Sequence, residues 1–240
     1  MITNFVFSSV GDNTSFDTLW IGKNMNYEVY VIYYGDDEKN YNKYKAKVKF
    51  IEKRKGSKFQ NFKYLYERYP NIIDKYKKFF ILDDDIIFNV PDINKMFEIS
   101  IEYNLDICAP SFSEKGLISH PVTKHVANVL LTYTNFVEVN TPLFNKTALA
   151  KLMNVLDSKL IGWGVDMLYI WANGKDQTKS YAIIHKVQCI NPYVCNKMNT
   201  VRELDKINDC DNRQNIWKTY ATSIGCPHWI KAKPYSSIPL

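Results

Sequence analysis

Apolar residues along the chain fall into short runs separated by polar turns, and the runs alternate between strand and helix periods. Residues 4–9, Asn-Phe-Val-Phe-Ser-Ser, read as a buried strand that ends in the turn Gly11-Asp12-Asn13, with a helix expected near 15–23. Residues 28–34 form a second apolar run, stopped by Gly35-Asp36-Asp37, and 48–51 a third, short one. Phe59, Phe62, Leu65, Tyr66 and Tyr69 recur at helical spacing up to Pro70. Residues 79–82 are continuously apolar and run into Asp83-Asp84-Asp85, as expected of a central strand buried on both faces. Beyond them the pattern predicts helices over 92–103, 145–156 (capped by Asn145), 165–172 and 209–224. It predicts strands over 106–109, 136–139 and 181–184.

Strands alternating with helices predict an α/β fold, a central sheet flanked by helices on both faces. Ligands of such sheets bind beyond the carboxyl ends of the strands. The turns after Ser9 and Tyr34 and the aspartate triplet are all expected at such ends, so they are expected to share one edge.

Composition narrows the class. With 240 residues, 46% of them hydrophobic and 23% charged, and 9 Gly and 9 Pro, the chain is neither low-complexity nor disordered. No apolar run approaches the ~20 residues of a membrane helix, and the first residues lack the basic flank and apolar core of a signal peptide. Cys108, Cys189, Cys195, Cys210 and Cys226 form no C-x-x-C pair. A disulfide framework or zinc knuckle is therefore not expected, and a reducing cytoplasmic setting is the simplest inference. The net charge of +6 is uneven: fourteen Lys and Arg stand against three acids between Lys39 and Lys78. That segment reads as a solvated lysine face before an anion site. It lacks the Arg and aromatic pattern of a nucleic-acid module.

Three constellations carry candidate chemistry. Asp83-Asp84-Asp85 closes a buried strand, where adjacent like charges raise one another's pKa unless a cation offsets them. Asp83 and Asp85 are two apart and point the same way on an extended chain. Oxygen ligands so placed suit a divalent cation, although an acidic turn after a strand is the plain alternative. Gly162-Trp163-Gly164-Val165-Asp166 combines a sharply bent backbone, an aromatic face suited to a sugar ring and a carboxylate at the start of a helix. Its plain alternative is a glycine turn with Asp166 stabilising the helix N-terminus. His185 follows the run at 181–184 and is a metal-ligand type, though a lone His is usually structural. His120 and His125 fall in or just after a loop-like segment, 111–124, read as surface, and Trp171 and Trp217 read as core anchors.

In this order, an apolar strand ending in Asp-x-Asp (Asp83, Asp85), then Trp163 to Asp166, then His185 resemble the GT-A class of nucleotide-sugar glycosyltransferases. The run Phe136-Val137-Glu138-Val139-Asn140-Thr141-Pro142-Leu143-Phe144 with Gly162 to Asp166 is similar to a GT-A-like family of plants and bacteria. Small size and composition resemble the domains with which large algal viruses glycosylate their capsid protein. The resemblance covers roughly residues 1–192 and implies a GT-A domain over 1–196 with a mixed central sheet. It leaves 197–240 as a helical extension, packed on that domain or leading to a further one.

The resemblance implies transfer of a sugar from a UDP-sugar, for instance UDP-L-rhamnose or UDP-xylose, to a glycan hydroxyl, for instance on a capsid glycoprotein in a host cytoplasm. It implies Mn²⁺ or Mg²⁺ on Asp83, Asp85 and His185, with Asp85 the direct ligand. Ser8, Ser9, Asp12, Tyr34, Asp36, Lys63, Asp83 and Asp84 are implied around the nucleotide, and Asp166 as the base of an inverting reaction. Inverting members commonly carry two consecutive acids after Trp-Gly; here Met167 follows Asp166. A non-catalytic nucleotide-sugar or glycan-binding module of the same fold is the alternative. A metal-dependent phosphotransferase would require further acids for a second metal.

Overall fold

A nine-stranded mixed sheet organises the chain, as a computed structural model covering residues 2–174, 178–193 and 207–240. In sequence its strands are β1 (Asn4–Val10), β2 (Glu28–Tyr33), β3 (Phe50–Lys53), β4 (Lys78–Ile81), β5 (Ile107–Phe112), β6 (Val129–Thr134), β7 (Leu143–Asn145), β8 (Tyr181–Cys189) and β9 (Pro234–Pro239). In space the order is β3-β2-β1-β4-β7-β5-β8-β6-β9. The first four are parallel neighbours, and β7 runs antiparallel between β4 and β5. Every residue of β1, β4 and β5 is buried, which explains why these runs do not alternate in polarity.

Eight helices accompany the described strands: α1 (Phe16–Leu19), α2 (Glu38–Lys45), α3 (Lys58–Arg68), α4 (Pro70–Ile73), α5 (Val90–Glu102), α6 (Lys146–Val155), α7 (Val165–Asn173) and α8 (Arg213–Ile224). Two apolar clusters form. One packs α3, α6, α7 and Trp217 of α8 against Phe5, Phe7, Phe79 and Ile81. The other packs α5, Phe16 and Trp20 against Val6, Val31, Phe80 and Ala182. The expected α/β sheet with helices on both faces is therefore present. No described helix is long and apolar enough to cross a membrane.

Several elements differ from expectation. Residues 136–139 form no strand, because their carbonyls are spent elsewhere: Tyr169 Oη donates to Val137 O (2.5 Å) and Lys58 Nζ to Val139 O (2.6 Å). The ladder position falls to β7 instead. The strand expected to stop before Pro110 continues through it, at a register shift between Pro110 and Ser111 where no ladder donor is needed. α2 escapes the apolar pattern, because Tyr44 is its one buried residue and Asp37 caps it by accepting from Lys39 N. The extension is not purely helical: β9 continues the same sheet beside β6. The boundary at 196 and Cys195 lie outside the described residues.

The basic segment is matched mostly by acids from elsewhere in the chain. Lys43 and Lys47 both pair with Asp17, Lys49 with Glu28, Lys53 with Glu38, Lys55 with Asp36 and Lys63 with Glu67.

The turn before α7 is fixed by two glycines. Gly162 (φ 78°) and Gly164 (φ 76°) both lie in the left-handed region. A Cβ on Gly164 would stand 2.1 Å from the Trp217 ring, whereas one on Gly162 would meet nothing within 4 Å. Gly162→Ala is expected to cost about 1 kcal/mol. Gly164→Ala is expected to cost more than about 2 kcal/mol, because strain adds to overpacking. Urea midpoints of the two variants measure the difference.

Candidate functional site

Side-chain contacts tie the carboxyl ends of β1, β2 and β4 into one corner. Asp84 is the knot: Gly11 N donates to its Oδ2 (2.9 Å), Tyr34 Oη to the same oxygen (3.0 Å), and Thr14 Oγ1 to its carbonyl (2.6 Å). Asp12 joins the β1 turn to the β2 turn, accepting from Asp36 N (3.0 Å), Asn40 Nδ2 (3.2 Å) and the Tyr33 hydroxyl. Asp12, Tyr34, Asp36 and the triplet Asp83 to Asp85 therefore meet as expected. Ser8 and Ser9 lie beneath them. The Ser8 hydroxyl donates to Leu82 O (2.8 Å) and that of Ser9 accepts from Asn61 Nδ2 (2.9 Å), so both brace the floor of the corner.

Lys58, at the first turn of α3, connects this corner to a second group of acids. Its side chain is only 10% exposed, and Nζ lies 2.8 Å from Asp83 Oδ1, 2.6 Å from Val139 O and 3.0 Å from Asn140 O. Asp83 N in turn donates to Asn140 O (3.0 Å), so the loop of residues 136–142 is strapped to the end of β4. Glu138 on that loop and Asp166 at the start of α7 are both buried.

The electrostatics run as one chain. Burial pushes Asp84 up to about 7, helped by the charges of Asp85 and Asp83, while the Gly11 and Tyr34 hydrogen bonds pull it down. Glu138 rises to about 7 through burial and then the charges of Asp166 and Asp83, with Ser119 and Lys58 opposing. Asp166 rises to about 6 through burial, offset by its bond from Met167 N (2.9 Å) and by Lys58. Asp12 differs: burial raises it, but hydrogen bonds from Tyr33, Asp36 and Asn40 outweigh that, and it lies below the usual carboxylate range. Lys58 thus acts on both groups: it pairs with Asp83 and its charge favours the ionised forms of Glu138 and Asp166.

Two expected members stand elsewhere. Lys63 faces α6, where Nζ pairs with Glu67 (2.7 Å) and reaches Met153 O (3.3 Å); Lys58 is the lysine of α3 that reaches the strand-end corner. His185 lies inside β8, with Nδ1 accepting from Val126 N (3.2 Å) and Nε2 bonded to Thr132 Oγ1 (3.0 Å). Burial pulls it down to about 4, with His125 adding to the shift, so it is a neutral packing group here. Among the described residues, no three His, Cys, Asp or Glu side chains are arranged to hold a metal ion. Glu138 is the residue that sequence reasoning passed over. Its one signal was an acid between Val137 and Val139 in an otherwise apolar run.

Comparison with solved structures gives the fold. No family model matches the sequence, and no curated protein is similar to it. Residues 1–349 of S. aureus TarS superpose at TM-score 0.57 with 11% identity over 92% of this chain. Their complex with UDP-GlcNAc gives 0.52, 11% and 93%. The longer TarS chain gives 0.54, 10% and 92%. This chain spans about two thirds of the shorter TarS structures and 39% of the longer one. The shared architecture is the GT-A-like mixed sheet flanked by helices.

The raised carboxyls fix a pH response. The native state holds protons on Asp84, Glu138 and Asp166 that an unfolded chain releases near pH 4, so their contribution to stability falls as pH rises from about 4 to about 7. An amide at position 84 can still accept from Gly11 and Tyr34 without the charge. Asp84→Asn is expected to gain about 1–2 kcal/mol at about pH 8 and little at about pH 4. Thermal unfolding at the two pH values measures the difference.

Proposed function

We propose that this chain transfers a glycosyl group from a UDP-sugar to the hydroxyl of a glycan acceptor, with inversion at the anomeric carbon. The observation that carries the reading is the link through Lys58 between the aspartate corner at the strand ends and the buried Asp166. It sits in a fold whose TarS examples were solved with UDP-GlcNAc and with UDP.

The strand-end corner is the place for the nucleotide. Tyr34, Asp12 and Asp36 border it, and the Lys58 ammonium is the cation that a diphosphate would meet. Asp83 and Asp85 fit a divalent cation: their oxygens are hard donors, their charges already press on Asp84, and Mg²⁺ needs only one or two protein carboxylates when phosphate supplies other ligands. When bound, Mn²⁺ or Mg²⁺ offsets the charge that builds on the departing diphosphate. His185 has no part in that set.

Asp166 supplies the base. Its value of about 6 leaves it ionised at neutral pH yet basic enough to take a proton. The acceptor oxygen bonds to the anomeric carbon as the bond from that carbon to the diphosphate oxygen breaks. The hydroxyl proton passes to an Asp166 carboxylate oxygen, and UDP leaves. The transition state has oxocarbenium character, as in glycoside hydrolysis.

Asp166→Asn is expected to lower kcat by about 10²–10⁴-fold while UDP binding is kept. Wild-type turnover is expected to rise with pH through about 6 and to be about tenfold lower near pH 5 than at its plateau, as the Asp166–Glu138 pair ionises. A panel of UDP-GlcNAc, UDP-L-rhamnose and UDP-xylose, followed by UDP release with and without EDTA, reads both. Full turnover by Asp166→Asn would overturn the assignment of the base.

A further inference from the structure

Near the α7 turn the chain displays an exposed indole ring between two anchored neighbours. Trp229 is 61% exposed, yet both neighbours are anchored: His228 O accepts from Trp217 Nε1 (3.2 Å), and Ile230 N donates to Met167 Sδ (3.1 Å). Met167 is the residue after Asp166, and Trp217 packs on Gly164. The Trp229 ring stacks on His120 (5.9 Å between centroids, 30° between planes), and His120 lies against Phe136 (4.7 Å, 51°). The ladder thus starts two residues from Glu138 and ends in solvent beside the α7 turn.

Glu138 provides the second, independent observation. It is 4% exposed, Asn140 Nδ2 bonds its Oε1 (3.0 Å), Ser119 lies near enough to hydrogen-bond the carboxyl and oppose its raised pKa, and Oε2 makes no well-formed hydrogen bond. A buried carboxylate oxygen left without a well-formed hydrogen bond is costly, and so is a large aromatic face held against water. A ligand with an apolar C–H face and hydroxyls at its rim relieves both, and a pyranose ring has that form.

We propose that Trp229, His120 and Glu138 form a subsite for a pyranose ring of the acceptor, the ring lying on the Trp229–His120 face with a hydroxyl donating to Glu138 Oε2. Its role as acceptor site rests on the transferase reading; ring binding does not. The position sets the acceptor near the α7 turn that carries Asp166, because Ile230, next to Trp229, is bonded to Met167. A flexible acyclic polyol has no flat C–H face to offer and binds poorly.

The test is saturation-transfer NMR on the full chain with methyl β-glycopyranosides of glucose, galactose and N-acetylglucosamine, and with sorbitol as the acyclic control. At least one glycoside should receive saturation on its ring C–H protons, and sorbitol should not. Trp229→Ala should weaken the signal by about fivefold or more, Trp229→Phe should restore most of it, and Glu138→Gln should weaken it by about threefold. Equal binding by Trp229→Ala, equal binding of sorbitol, or no glycoside binding by the wild type would overturn the subsite. A parallel calorimetric titration of UDP separates the two ideas. Loss of UDP binding in the wild type would sink the transferase reading and leave ring binding standing. Unchanged UDP binding in Trp229→Ala shows that the variant is folded.

Discussion

One nearly buried ammonium group holds the site together. Lys58 reaches from α3 to Asp83, Val139 and Asn140, and so fixes the end of β4 against the loop that carries Glu138. Three pulls act on it at once: an ion pair and two carbonyl bonds, each stronger for being shielded from water. Without this cation, the repulsion among Asp83, Glu138 and Asp166 would be offset only by hydrogen bonds from neutral groups such as Ser119 and Met167 N. A charge that would be a minor surface feature elsewhere here fixes the strand-end corner against the loop of residues 136–142.

The acids around Lys58 cost the fold stability near neutral pH. Asp84, Glu138 and Asp166 are all held at values that disfavour their charged forms, so the folded chain is destabilised near neutral pH by groups that packing alone does not require. Asp12, in the same corner, goes the other way because its oxygens are saturated with hydrogen bonds. The contrast separates a carboxylate that ties two turns together from carboxylates whose burial holds them near neutral pKa. Gly164 and Trp217 add the mechanical part, since the close approach of the indole ring to the glycine fixes where α7 starts and therefore where Asp166 sits.

Much of this was legible in the sequence, and the misses have physical causes. Continuous apolar runs marked β1, β2 and β4 because those strands are buried on both faces, and the strand-end rule then brought Asp12, Tyr34 and the triplet together. β6, β7 and β9 escaped; β7 has three residues, and β9 is an exposed edge bounded by Pro234 and Pro239. Residues 136–139 mimic a strand in composition, but their backbone serves Lys58 and Tyr169. Lys63 is the lysine expected at the nucleotide, yet the five residues from Lys58 rotate the helix by about 140°, which turns Lys63 toward α6. His185 was placed just past a strand that in fact runs on to Cys189, so its ring is packed within the sheet. Glu138 carried too little pattern to be chosen, because burial and a poorly satisfied oxygen are properties of the fold and not of the residue.

The most direct test of the account is a crystal structure of the chain with UDP and Mn²⁺. The account predicts the diphosphate at the strand-end corner, with a phosphate oxygen near Lys58 and the metal on Asp85 or Asp83, and with Asp166 facing the side from which an acceptor would approach. UDP bound away from Lys58, or a diphosphate with Asp166 pointing away from it, would contradict it.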